Sequence, residues 1–142
     1  MSGCGLCPDG GATPAELAGP ALDADGWLAG VLRGYEVPGW FAVFPPRHVE
    51  SVDALSDGEA DELGGALRRL TAAVRSATSC EKVYAVSFGE RLPHFHVLIM
   101  AVPADLPAEL RGAALIGGKD RLNDPAAACD VAQQVAERLR RP

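Results

Sequence analysis

The chain has 142 residues, of which 48% are hydrophobic and 23% are charged, and this balance is typical of one globular domain spanning residues 1–142. Its formal net charge of −6 argues against the basic surface that broad binding to nucleic acids or anionic membranes requires. Because the sequence shows neither a signal-peptide pattern nor an apolar run of about 18 residues, we expect a soluble, cytoplasmic protein.

The first half of the chain predicts an irregular start, two strands and a long helix. Residues 1–26 are expected to be irregular apart from a short helix beginning near Thr13. Two apolar runs, GWLAGVL and GWFAVFP, are separated by turn residues and favour a pair of strands. Over residues 56–76, Ser56 and Glu59 have capping-box spacing before a helical pattern. The expected buried stripe consists of Leu63, Leu67, Leu70 and Val74.

The second half predicts two more strands and a second helix. Residues 82–88 alternate bulky and small side chains, and residues 94–102 form an apolar run, so we expect an antiparallel pair joined by a short loop. Asp124 and Pro125 combine an acidic cap with a first-turn proline and begin a C-terminal helix. The predicted fold class is therefore α+β, built around an antiparallel sheet.

The N-terminal segment carries a Cys-x-x-Cys pair, Cys4 and Cys7. Two thiolates at this spacing suit one tetrahedral zinc ion, and histidines are the natural donors for the two remaining positions. A redox pair and a pair without any ligand are the alternatives. The redox alternative requires a junction between a strand and a helix, which the following PDGGA does not resemble.

The chain has three histidines, and two of them stand two residues apart. His94 and His96 would project from one face of a strand, since side chains alternate along an extended chain. His48 lies in FPPRHVES, between a predicted strand and the long helix. The pattern fits an acid/base pair, or a catalytic zinc ion held by all three histidines with one open position.

The segments PGWFAVFPPRHVES and VYAVSFGERLPHFHV, with a helix between them, resemble the histidine triad (HIT) superfamily of small nucleotidyl hydrolases and transferases. The resemblance extends from about Cys4 to Met100. It implies a HIT-like fold, with an antiparallel five-stranded sheet, a main helix and a C-terminal helix. It also implies a small phosphorylated, nucleotide-like ligand and assembly as a homodimer.

The resemblance further implies roles for individual residues. His96 falls on the middle histidine of the motif, which attacks the α-phosphate in that family, and imidazole suits this task because it is partly neutral near pH 7. The backbone carbonyl of His94 would accept the other ring N–H of His96 and so select its tautomer. Gly89 lies in the region whose amides would bind the phosphate. In zinc-bearing members the ligand positions match Cys4, Cys7, His48 and His94.

Leu98 is the main departure from that family, because it stands where the third histidine normally contacts phosphate and assists the leaving group. A one-residue deletion would have the same consequence, and Arg91 or Glu90 could substitute for the missing group. Loss of such a contact costs on the order of 10²- to 10⁴-fold in rate. Two functions follow. One is a hydrolase or transferase acting on a phosphoramidate or a dinucleoside polyphosphate. The other is a catalytically weakened nucleotide-binding or regulatory module.

Overall fold

A five-stranded antiparallel sheet forms the centre of the structure, a computed structural model that describes residues 3–8 and 13–141. The strands are β1 (Leu22–Ala24), β2 (Trp27–Gly30), β3 (Trp40–Phe44), β4 (Lys82–Val86) and β5 (Val97–Val102). Their order across the sheet is β1-β2-β3-β5-β4, so β3 and β5 are neighbours near its centre. The α+β class and the five-stranded antiparallel sheet are thereby confirmed.

Three α-helices and three 3₁₀ segments complete the described chain. The α-helices are α1 (Asp57–Thr78), α2 (Lys119–Leu122) and α3 (Pro125–Leu139), and the 3₁₀ segments are Val52–Ala54, Ala108–Leu110 and Gly112–Gly118. The predicted starts of the long helix and of the C-terminal helix are confirmed, since Ser56 caps α1 and Asp124 caps α3 through side-chain bonds to backbone amides. Within the described residues, no helix is long and apolar enough to cross a membrane.

The expected irregular N-terminal segment needs two corrections. Residues 13–20 form turns instead of a helix, because Leu17 makes an isolated antiparallel bridge to Leu32 and is buried against the sheet. Strand β1 also lies within the range expected to be irregular. It pairs with β2 through a tight turn in which Asp25 and Gly26 have φ values of 53° and 92°, as a two-residue Asp-Gly hairpin requires.

Each face of the sheet is buried under a different part of the chain. Helices α1 and α3 cover the face that carries Phe41 and Ile99. In the buried stripe predicted for α1, Leu70 and Val74 are buried, and Leu63 and Leu67 are partly buried. We call the opposite surface the Leu98 face, because Leu98 projects there together with Trp40, Ala42, Phe44, Met100 and Val102. Leu6, Leu17 and the segment after β5 pack onto it. Strands β3 and β5 are consequently buried on both of their faces.

Replacing Ser56 with alanine is expected to destabilise the fold by about 1 kcal/mol, the usual cost of losing a helix N-cap. The Ser56 hydroxyl accepts a bond from the Glu59 amide, and the Glu59 carboxylate accepts one from the Ser56 amide. Urea denaturation would measure the loss. Ser51→Ala is the matched control, since the Ser51 side chain caps nothing at its 3₁₀ turn, and an equal loss in both variants would contradict the capping role.

Candidate functional site

Two cysteines and two histidines from three separate segments meet at one end of the sheet. His48 follows β3, and His94 lies in the loop before β5. Because Val43 of β3 pairs with Val97 of β5, the chain on either side of these strands is brought together. The N-terminal segment adds Cys4 and Cys7, and the four ligand atoms lie within 4.8 Å of one another. The ligand set implied by the sequence is therefore assembled in space.

The distances within this cluster fit a zinc ion. The Cys4 Sγ lies 3.4 Å from the His94 Nδ1, and the Cys7 Sγ lies 3.4 Å from the His48 Nδ1 and 3.6 Å from the His94 Nδ1. Ordinary Zn–S and Zn–N bonds at a tetrahedral ion separate sulfur from nitrogen by about 3.6 Å. Two thiolates and two imidazoles also form one of the usual structural zinc shells. The geometry and the donor set thus confirm the predicted structural zinc site.

Outer contacts orient both imidazoles toward the thiols. The His94 Nε2–H donates to the Pro45 carbonyl at 2.8 Å, and the His48 Nε2–H donates to the Glu50 carboxylate at 3.1 Å. Each bond places the ring proton on Nε2 and leaves the Nδ1 lone pair directed at the cysteines. Such outer partners select the tautomer and raise the basicity of a metal-bound histidine.

The electrostatics at Cys4 and His94 favour the protonation states that a metal requires, whereas those at His48 favour the protonated ring. Burial raises the pKa of the Cys4 thiol, but hydrogen bonds from Cys7, the Leu6 backbone and His48 outweigh burial and lower that pKa overall. Burial lowers the pKa of His94, which stabilises the neutral ring. The bond to Glu50 raises the pKa of His48. A thiolate beside a neutral imidazole is the form that binds zinc.

Replacing Glu50 with glutamine is expected to weaken zinc binding about tenfold or more, because the carboxylate that orients His48 is lost. Competition with a chromophoric chelator would measure the change. The exposed Asp53→Asn is a nearby control, since no bond from Asp53 reaches either histidine among the described residues. Unchanged zinc affinity in Glu50→Gln would contradict the role of Glu50.

His96 is held differently from the other two histidines. Its Nδ1–H donates to the backbone carbonyl of His94 at 2.8 Å, and its own carbonyl accepts a 2.8 Å bond from the Ser87 hydroxyl. Since Nδ1 makes this bond, Nε2 is the nitrogen left for a ligand. The ring is partly exposed. The expectation that His94 and His96 lie on a strand was wrong. Strand β5 begins at Val97, so both histidines lie in the preceding loop.

The other predicted site positions lie on β5 and in the loop between β4 and β5. Leu98 is only 6% exposed and packs in the apolar cluster on its face of the sheet. Gly89 is exposed in the loop between β4 and β5, with a left-handed φ of 73°. The Arg91 guanidinium lies over the ring of Tyr35, 5.3 Å from its centroid, and Glu90 is exposed. Among the described residues, the bonds of His96 go to the Ser87 hydroxyl and the His94 carbonyl, and none of them involves the side chain of Glu90 or Arg91.

Sequence reasoning missed three groups that support the site: the Pro45 carbonyl, the Glu50 carboxylate and the Ser87 hydroxyl. An acidic residue two positions after a metal-ligating histidine was a readable signal for Glu50. The other two groups act on residues 49 and 9 positions away, so only the folded chain reveals them.

The comparisons with solved structures show that this is the histidine triad fold. A histidine triad protein of Sinorhizobium meliloti superposes with a TM-score of 0.66 at 18% identity, covering 83% of this chain and 89% of that one. A zinc-bound histidine triad family protein of Mycobacterium smegmatis has a TM-score of 0.62 at 13% identity, covering 85% of each chain. A hypothetical histidine triad nucleotide-binding protein of Sulfolobus tokodaii has a TM-score of 0.64 at 14% identity, covering 82% of this chain and 80% of that one. No protein-family model and no curated protein matches the chain.

Proposed function

We propose that this chain, with its histidine triad fold, is a nucleotidyl hydrolase or transferase that uses His96 to attack the α-phosphate of a small nucleotide-like substrate. One observation carries the proposal: the His96 Nδ1–H is bound to the His94 carbonyl at 2.8 Å, which reserves Nε2 for phosphorus. The nucleotide-binding Sulfolobus tokodaii protein supports the ligand class. We also propose the roles that the resemblance gives to His96, His94 and Gly89, a cytoplasmic location and assembly as a homodimer.

His96 would work as a nucleophile in two displacements. The Nε2 lone pair attacks phosphorus, a P–N bond forms, and the leaving group departs with the electrons of its own bond to phosphorus. Water then attacks the phosphorus, loses a proton and releases the nucleoside monophosphate with the free imidazole. The bond from Nδ1–H to the His94 carbonyl becomes stronger when the ring carries positive charge, so it favours the intermediate over the resting state. Backbone amides near Gly89 are the proposed phosphate donors.

Zinc held by Cys4, Cys7, His48 and His94 would supply a structural anchor and no chemistry at phosphorus. His94 contributes its ring to the cluster and its carbonyl to His96, so the metal shell and the nucleophile share one residue. The separation of His96 from the metal cluster argues against an open catalytic zinc bound by all three histidines. The His96 Nδ1 bonds to a carbonyl, and the two cysteines complete the zinc shell.

A nucleotide-binding module with little turnover is the second candidate, and the burial of Leu98 favours it. An apolar side chain there can neither bind a phosphate oxygen nor donate a proton. This candidate predicts measurable nucleotide affinity with negligible product release.

Trapping the covalent intermediate separates the two candidates. The protein would be mixed with adenosine 5′-monophosphate 4-nitrophenyl ester, quenched in cold denaturant at alkaline pH, where a phosphoramidate survives, and examined by intact-protein and peptide mass spectrometry. Adenylyl mass on the peptide containing His96, together with release of adenosine monophosphate, is expected of the enzyme. Saturable binding of adenosine monophosphate without label or release would instead favour the binding module.

A further inference from the structure

The segment between β3 and α1, which carries His48, is held on one side by the loop before β5. The Pro45 carbonyl accepts the His94 Nε2–H at 2.8 Å, and the Val49 carbonyl accepts the Phe95 amide at 2.7 Å. His94 is itself a member of the metal cluster. These two bonds therefore fix the chain on either side of His48 against the loop that carries the second histidine ligand.

Arg47, the residue directly before His48, holds the same segment against α1. Its Nε–H donates to the Glu59 Oε2 at 3.1 Å and its Nη2 group donates to the Glu59 Oε1 at 2.6 Å, so the pair is bidentate. The Nη2 group also donates at 3.1 Å to the carbonyl of Ala54, the last residue of the 3₁₀ segment before α1. A planar guanidinium suits this contact, because its donors match a carboxylate at two points at once and a lysine ammonium does not.

Glu59 in turn has little freedom to move. It lies in the first turn of α1, where its carboxylate accepts the Ser56 amide at 2.8 Å and its own amide donates to the Ser56 hydroxyl at 3.2 Å. The Glu59 carbonyl accepts the indole N–H of Trp27 at 3.2 Å, and the Glu59 side chain is only 17% exposed. Arg47 is therefore bonded to a fixed point on α1.

We infer that Arg47 is a positioning residue for the metal cluster, and that it couples the placement of His48 in the zinc shell to the first turn of α1. One end of the path is the 3.4 Å contact between the Cys7 Sγ and the His48 Nδ1. A peptide bond joins His48 to Arg47, whose guanidinium reaches Glu59. A coupling between two sites is reciprocal, so zinc should stabilise the start of α1 as much as the start of α1 strengthens zinc binding. The inference rests on the zinc site and not on the chemistry proposed for His96.

Arg47→Met tests the inference, because methionine keeps an unbranched side chain and removes every donor. It is expected to weaken zinc binding about fivefold in competition with a chromophoric chelator, a modest change because the Arg47 side chain is 54% exposed. Arg47→Lys retains the charge but not the bidentate contact, so it should recover only part of the loss.

Arg75→Met is the matched control for this measurement. Arg75 lies in the last turn of the same helix, and its guanidinium donates at 3.4 Å to the Glu81 carbonyl, which is no part of the metal cluster. This variant should bind zinc as tightly as the parent chain does. Equal zinc affinities in Arg47→Met and Arg75→Met would overturn the inference.

A double-mutant cycle shows whether Arg47 acts through Glu59. Glu59→Gln keeps the capping box, since glutamine serves at this position as glutamate does, but it removes the charged partner of Arg47. The double variant is expected to bind zinc about as tightly as the weaker of the two single variants. Additive losses would mean that the two residues act independently and would contradict the coupling.

Cobalt(II) in place of zinc reports on the shell itself, because its visible absorption bands depend on the coordination geometry. Arg47→Met should shift or weaken these bands, with a partial return in Arg47→Lys, while Arg75→Met keeps the parent spectrum. A parent spectrum in Arg47→Met would show that His48 is placed without the help of Arg47, and the inference would be wrong. None of these measurements uses turnover, so their failure leaves the function proposed for His96 untouched.

Discussion

His96→Ala is expected to lower turnover by on the order of 10³-fold or more, because it removes the atom that we propose forms the covalent bond to phosphorus. Because His96 lies outside the metal cluster, its replacement should affect turnover without removing a zinc ligand. Its imidazole bonds to the His94 carbonyl, outside the zinc cluster, and the ring is partly exposed. Steady-state release of adenosine monophosphate and the label in the quenched protein should disappear together.

The zinc content of the same variant is the control. Metal stoichiometry and melting temperature should stay near those of the parent chain, since the four cluster residues remain. A His96→Ala protein with undiminished turnover would remove His96 from the chemistry. A His96→Ala protein that loses zinc would show that His96 belongs to the metal shell, contrary to the division between a structural and a reactive histidine.

Replacing both Cys4 and Cys7 with serine is expected to abolish zinc binding and to lower the free energy of unfolding by several kcal/mol, because the binding energy of a structural zinc ion is folding energy. The metal would join the N-terminal segment to the loops after β3 and before β5. Leu6, which lies between the two cysteines, is fully buried on the Leu98 face. Release of the segment would therefore also expose apolar surface.

Two other cysteines provide matched controls for this experiment. Cys129 is exposed on α3 and Cys80 is only partly buried, and neither belongs to the metal cluster. Cys80→Ser and Cys129→Ser should keep one zinc ion per chain and lose little stability. X-ray absorption of the parent protein should show a mixed sulfur and nitrogen shell. Equimolar zinc in the double variant, or a shell of nitrogen and oxygen alone, would refute the assigned ligands.

Local sequence patterns were sufficient to predict α1, α3 and strands β2 to β5, and to identify the residues of the metal cluster. The Ser56 and Glu59 capping box and the Asp124-Pro125 pair predicted where α1 and α3 begin, because a helix start depends on residues within one turn. The Cys-x-x-Cys pair and the histidines identified the four residues of the metal cluster and left His96 as the proposed nucleophile, since each chemistry admits few residue types. Where long-range pairing competed with local preference, prediction failed. The helix expected near Thr13 gives way to the bridge between Leu17 and Leu32.

The sequence by itself determined the α+β class, the donors of the metal cluster and the presence of a further imidazole, which we propose as the nucleophile. The tertiary structure decided how these groups act. It turned the rings of His48 and His94 toward the thiols through Glu50 and Pro45, and it bonded His96 to a carbonyl. It also buried Leu98 in the apolar cluster on its face of the sheet. The bond between His94 and Pro45 and the approach of the cysteines to the histidines join segments that are distant in the chain, so they form only once β3 and β5 have paired.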